Sequence, residues 1–419
     1  MWILLALAAG ALIVLIVANL SSSAKKIEHE IDHLYRAGDP QFVRSMGSLL
    51  GPGIVPGNKV RALCNGDEIF PAMLDAIRGA ERTICFETFI YWSGSIGREF
   101  AAALSERARA GVKVHVVLDW VGSGKMDASM LEEMKRAGAE VVKYHPLRWY
   151  SVGRLNNRTH RKLLIVDGRV GFTGGVGIAD NWLGHAQDPE HWRDSHFRLE
   201  GPAVAQMQAA FMDNWMETCA QVLHGDEYFP SLEAAGPHAA QLFKSSADDA
   251  SESVRLMYLL SIASAVKSVR IANAYFVPDS LAVETLVAAQ RRGAKVEIVV
   301  PSSRIDQKIV RRASRSLWGP LLEAGVTIHE YQPTMYHVKV VVVDEVWTSV
   351  GSTNFDNRSF RLNDEANLNI LDPEFAAGMA EMFEQDKALS RRITLEEWRR
   401  RPLLERVTER LAGLLRLQL

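Results

Sequence analysis

One sparse pattern occurs twice in this chain, and it limits the possible folds more than any other feature. "HRKLLIVDG" starts at His160 and "HVKVVVVDE" at His337, 177 residues further on. Each reads His, one residue, Lys, four residues, Asp. A duplication on that scale implies two related units rather than one large domain, and 419 residues suit two units of roughly 150–200.

The flanking sequence repeats as well. "RAGVKVHVVLD" (Arg109–Asp119) resembles "RRGAKVEIVVP" (Arg291–Pro301), and "KRAGAEVVKYHP" resembles "LLEAGVTIHEYQP". Each is an amphipathic run ending in Gly, followed by a β-branched strand. "RTICFETFIYW" and "SVRIANAYFVP" are matching strands upstream. Helices alternating with short apolar strands predict an α/β fold with a largely parallel sheet covered on both faces. Pro146 precedes His160 by 14 residues and Pro333 precedes His337 by 4, so the first unit carries an insertion of about ten residues. The expected organisation is an anchor over 1–22, a linker over 23–58, one domain over 59–222, a connector over 223–244, a second domain over 245–390 and a tail over 391–419.

Along a strand, His160 and Lys162 share a face, whereas Asp167 has opposite parity and sits in an Asp-Gly turn. The same parity holds for His337, Lys339 and Asp344. The expected catalytic set is therefore these six residues, with the two aspartates bracing the strand ends. A Lys beside a His repels a metal cation, so no metal site is expected. It suits an anion: imidazole attacks or donates a proton while Lys neutralises phosphate oxygens. In-line displacement at phosphorus needs an attacking group and a proton donor on opposite sides. Two copies facing each other across a pseudo-twofold supply one His for each task.

Six residues after Asp344 comes "GSTN" (Gly351–Asn354), and six after Asp167 comes "GGVG" (Gly174–Gly177). Ser352 and Asn354 are candidate phosphate donors alongside Lys162 and Lys339. The doubled His-x-Lys-x4-Asp-x6-Gly-Ser-x-Asn resembles the signature of the phospholipase D superfamily. "GSTNFDNRSFRLNDEANL" and "WRRRPLLERVTERLAGLL" are similar to its bacterial cardiolipin synthase branch. That resemblance implies two tandem α/β/α sandwich domains and a phosphatidyl transfer without cofactor. Two phosphatidylglycerol molecules would yield cardiolipin and glycerol through a phosphohistidine. It also implies that each His pairs with a carboxylate from the other half, His160 with Glu365 and His337 with Asp194, and it favours His160 as nucleophile. The first motif departs from the pattern, with Gly175 in place of Ser and Gly177 in place of Asn. Phosphate binding is then expected to lean on Asn354, or on Asn181 reaching back.

Other features weigh less. "GSGK" (Gly122–Lys125) lacks the earlier Gly and following Ser or Thr of a nucleotide loop. Glu87, Tyr91 and Tyr275 end matching strands and could line a cleft or merely pack. His115 lacks a Lys two residues on and is read as structural. The three cysteines form no disulfide or zinc pattern.

Met1–Leu20 holds no charged side chain, and as a helix it would span about 28 Å, enough for a transmembrane helix. No basic residue precedes it, which favours an uncleaved anchor over a signal peptide. Lys25 and Lys26 follow it, so the bulk of the chain is expected on the cytoplasmic side of the membrane, which the resemblance implies is a bacterial inner membrane. The tail carries eight arginines from Arg391 to Arg416, and leucines at helical spacing after Pro402. A basic amphipathic helix suits an anionic membrane surface, or else docks on the domain. These segments point to the membrane as a partner, and the resemblance implies phosphatidylglycerol and cardiolipin.

A formal charge of −2 disfavours nucleic acid as a partner, and with it a nuclease. A phospholipase using water as acceptor, and a synthase with another donor such as phosphatidylethanolamine, keep the same motifs. An inactive lipid-binding scaffold would not need both His-Lys pairs intact. Oligomeric state is left open.

Overall fold

The structure is a computed structural model that describes residues 2, 10, 27–147, 156–246, 252–416 and 418. The expected anchor over 1–22 lies outside the described residues except at two positions, and most of the insertion before His160 lies outside them too. Among the described residues no helix is long and apolar enough to cross a membrane.

After α1 (Pro40–Leu50), the first half runs β1 (Val55–Cys64), α2 (Asn65–Arg78), β2 (Thr83–Thr88), α3 (Ser95–Arg109), β3 (Lys113–Asp119), α4 (Ala128–Arg136) and β4 (Glu140–Tyr144). It continues through β5 (Arg158–Thr159), β6 (Leu163–Val166), β7 (Val170–Gly174), β8 (Ser195–Glu200) and α5 (Val204–Cys219). The second half runs β9 (His238–Ser245), α6 (Ser253–Ala263), β10 (Ser268–Asn273), α7 (Ser280–Arg291), β11 (Lys295–Pro301), α8 (Lys308–Ser316), α9 (Trp318–Glu323) and β12 (Thr327–Tyr331). Then come β13 (Lys339–Val343), β14 (Trp347–Gly351), α10 (Asn357–Arg361), β15 (Asn363–Leu371) and α11 (Pro373–Ala388). The chain ends in β16 (Ser390–Ile393), α12 (Leu395–Arg399) and α13 (Leu403–Leu414).

From the outside inward, the first half orders its strands β4-β3-β2-β6-β7-β8-β1, and the second, inside one additional edge strand β16, β12-β11-β10-β13-β14-β15-β9. The two orders correspond strand for strand, and they meet where β1 pairs antiparallel with β9. The repeat in the sequence is therefore a repeat in topology, joined into one sheet.

The sheet is mixed, not largely parallel. Within each half's main path only β2-β3-β4 and β10-β11-β12 run parallel. The motif strands reverse direction because β6 and β13 each end in a three-residue turn. Val166 pairs with Val170 across one turn, and Val343 pairs with Trp347 across the other. Asp167 and Asp344 take left-handed φ values of 55° and 53° there, and a connection that short can join only antiparallel strands.

The boundaries differ from the sequence expectation in two places. β9 begins at His238, inside the stretch expected as a connector, because it must pair with β1 and β15. β16 belongs to the sheet rather than to a free tail, pairing antiparallel with β12. Apolar side chains of α2 and α3, such as Phe70 and Phe100, cover the outer face of the first half. Those of α6 and α7 cover the second. The inner face carries α5 and α11, whose Trp215, Phe211 and Phe383 belong to one core spanning both halves.

Candidate active site

Each motif His is set by backbone from the opposite half. Arg158 and Thr159 pair with Asn363 and Asp364 of β15, and the His160 N–H donates to the Asp364 carbonyl at 2.9 Å. In the related position Arg193 bridges to Tyr336, and the His337 N–H donates to the Arg193 carbonyl at 2.8 Å. This exchange lays each imidazole beside a carboxylate from the other half. His160 Nδ1 stands 3.0 Å from both oxygens of Glu365, and His337 Nδ1 stands 2.7 Å from Asp194 Oδ2.

Both imidazoles line one cleft of about 770 Å³, together with Lys162 and Asn354. Phe89, Trp182, Trp192 and Tyr275 form apolar walls around it. Lys162 and Lys339 are buried, and each ammonium donates at 2.7 Å to the carbonyl of its own motif His. That bond curls each Lys back beside its His. Another cavity of similar volume lies over β1 against α11 and holds none of the motif residues.

Burial governs the electrostatics. It pushes His160 down to about 4, against the pull of the Glu365 charge. His337 is lowered by burial and by the Lys339 charge. Burial would raise the two carboxyls, but charge and hydrogen bonding from the neighbouring His hold Glu365 down at about 2 and Asp194 below its ordinary range. At neutral pH the cleft therefore presents two neutral imidazoles, each with its Nδ1 side against a carboxylate. Burial also lowers Lys162 to about 7 and Lys339 to about 8, which an arriving phosphate anion would reverse.

Asp167 and Asp344, part of the expected catalytic set, do not reach the cleft. Asp167 accepts from the N–H groups of Glu81, Arg82 and Thr83 at 2.7–3.0 Å, tying the end of β6 to the start of β2. Asp344 does the same for Val266, Lys267 and Ser268. Ser352, expected as a phosphate donor, instead donates to Glu365 Oε2 at 2.5 Å. Asn354 does line the cleft, with a buried Oδ1 that has no partner among the described residues.

The family model described as "Cardiolipin synthase, PLD-like domain" matches residues 73–215 and 258–387. The chain belongs to that family. It is 36% identical over 354 residues to cardiolipin synthase 2 of Bacillus anthracis, covering 84% of this chain and 69% of that protein. It is 34% identical over 374 residues to cardiolipin synthase A of Pseudomonas fluorescens, covering 89% and 78%. Among solved structures, phosphatidylserine synthase of Haemophilus influenzae Rd KW20 matches with a TM-score of 0.65 at 13% identity. That match covers 90% of this chain and 99% of the other, and it shows a shared fold.

Against the family signature, the Gly175 and Gly177 departures now have a physical account. A Cβ at Gly175 would collide with the Asp194 carboxylate, and one at Gly177 would press into Ile90 and the Trp182 ring. Trp182 fills that space and donates Nε1–H to Asp194 Oδ2 at 2.8 Å. Its indole thus holds Asp194 as the Ser352 hydroxyl holds Glu365. Asn181 also lines the cleft.

Several cleft residues carried no sequence signal. Lys125, from the discounted "GSGK", lines the wall with its ammonium 4.0 Å from the Trp92 ring centre. Arg158 and Arg358 add positive charge. Tyr275 reaches the cleft and donates to Asp306 at 2.7 Å, whereas Tyr91 is buried and donates to the Gly97 carbonyl. Glu87 is buried behind the wall, held by Thr159 and Asn214, and burial raises it to about 7. His115 bonds the Tyr228 hydroxyl away from the cleft.

Proposed function

We propose that this chain is a phosphatidyltransferase that makes cardiolipin from two phosphatidylglycerol molecules, by a phosphohistidine route, at a membrane to which residues 1–22 anchor it. The observation that carries the reading is the crossed pair of His–carboxylate contacts inside one cleft. His160 Nε2 attacks phosphorus, and the P–O bond to the departing glycerol breaks. His337, charged once the phosphate anion is bound beside it, gives its proton to that oxygen. A hydroxyl of the second phosphatidylglycerol then passes its proton to His337 and attacks phosphorus, and the P–N bond breaks. Lys162, Lys339 and Asn354 hold the phosphate oxygens. The aromatic walls favour a lipid alcohol over water as acceptor. Cytoplasmic placement follows from the charges after the apolar run.

Purified full-length protein in micelles with headgroup-labelled phosphatidylglycerol tests this. Cardiolipin with free labelled glycerol is expected. Phosphatidic acid as the sole lipid product would make the enzyme a hydrolase instead.

A further inference from the structure

The last helix docks the wrong way round for a soluble protein. An amphipathic surface helix ordinarily buries its apolar stripe. α13 instead buries Glu409, which stands 2.7 Å from Arg315 and 2.8 Å from Arg401, along with the small Ala412. Its leucines face outward: Leu403 is 74% exposed, Leu411 59% and Leu414 77%, with Val407 exposed between them. These positions recur at helical spacing and form one stripe. Arg406 and Arg410, also exposed, fall along one edge of it.

The stripe lies beside the cleft. α13 packs on α8 through Ala412, which shares a small core with Val310 and Ala313. Ile309 and Val310 of α8 form part of the cleft wall, and Ile309 and Val121 stay exposed at it. Beyond α13, the Gln418 carbonyl accepts from Arg358, and both residues line the cleft. The described chain resumes at Ile27 close by, since Ile27 bonds Glu252, which pairs with Arg361 of the same short helix as Arg358. Ile27, the cleft residue Arg358 and the residues that follow α13 are therefore joined by one chain of contacts.

We propose that α13 is a docking helix whose outward apolar stripe lies in an anionic phospholipid surface, with Arg406 and Arg410 at the headgroups. Docked this way, it sets the cleft against the layer that holds its substrate. The inference rests on the lipid-transfer reading for its purpose, but its geometry does not depend on turnover.

The test labels Leu411→Cys with an environment-sensitive fluorophore in full-length protein carrying Cys64→Ser and Cys219→Ser, Cys85 being buried. The protein is reconstituted in phosphatidylglycerol or phosphatidylcholine vesicles containing a spin-labelled lipid. Strong quenching in phosphatidylglycerol and much less in phosphatidylcholine is expected. No quenching, or equal quenching in both, overturns the proposal. So does a label shielded from an aqueous quencher yet untouched by the lipid one, which assigns the face to a second copy or to residues 1–22. Val407→Asp/Leu411→Asp should lower kcat/KM on vesicles roughly tenfold or more. It should leave turnover of monomeric short-chain phosphatidylglycerol unchanged, and an equal loss on both substrates also overturns the proposal. Absence of cardiolipin from the unsubstituted protein would refute the transferase reading while leaving the quenching result intact.

Discussion

Trp182 donates its indole N–H to Asp194 at 2.8 Å and does for one half of the cleft what Ser352 does for Glu365 in the other. A first motif without the serine has the hydrogen bond from a different side chain, twelve residues upstream of the carboxylate. The indole also stands edge-on to His337, with ring centres 5.3 Å apart, so it positions both members of the pair.

Trp182→Phe should therefore act on His337 through Asp194. It keeps most of the ring and removes the donor, leaving one oxygen of a buried carboxylate short of a partner. The expected cost is about 1–3 kcal/mol, read as a kcat lower by roughly tenfold or more with KM little changed. Steady-state kinetics with a thermal melt in parallel checks it. A raised KM with unchanged kcat would instead place Trp182 in substrate binding.

His160→Ala and His337→Ala should each abolish turnover even at a temperature where the variant is folded, although each removal leaves a buried carboxylate with one partner fewer and lowers the melting temperature somewhat. They should differ in what accumulates. With His337 absent the attack is slow but the phosphohistidine has no base to resolve it, so alkaline quenching after phosphatidylglycerol labelled in its phosphate should trap label on protein. With His160 absent no label should be trapped. Label on the His160→Ala protein would exchange the two roles.

The repeat made the paired halves legible, because a duplicated strand with His and Lys on one face is visible in one dimension. The sheet direction was less so: the alternation of helices and strands fits both parallel and mixed sheets, and only the three-residue turns at Asp167 and Asp344 decide it. Ser352 was read as a phosphate donor because the motif places it near the cleft. Its hydroxyl turns instead to Glu365, thirteen residues away across the pairing of β14 with β15. Trp182 had no repeat partner to flag it. The leucine spacing of α13 was plain, but which side faces the protein depends on Arg315, ninety-four residues from Glu409.

The buried lysines predict an alkaline limb. Lys162 at about 7 and Lys339 at about 8 lose their protons well below the ordinary lysine range. Above those values the free enzyme has less positive charge to meet a phosphodiester, so kcat/KM should fall from about pH 7 upward and more steeply above about pH 8, where the second lysine also loses its proton. Unfolding does not explain the loss. In this range the unfolded lysines keep protons that the folded ones have released, so their contribution to stability rises with pH. A pH–rate profile alongside melting temperatures separates the two trends.

Asp167 gives the opposite pattern to the histidines. Its carboxylate accepts three backbone N–H groups at the start of β2, and nothing of it reaches the cleft. Asp167→Ala leaves those donors without their partner and frees the hairpin that sets β6, at a cost of about 2 kcal/mol or more. The melting temperature should drop by several degrees, and kcat at a temperature where the variant is folded should stay within a few-fold. Asp167→Asn keeps one acceptor oxygen and should lie between. A variant that melts normally but has lost turnover by orders of magnitude would return Asp167 to the chemistry, and Asp344→Ala, which removes the same brace from the second half, should then behave in the same way.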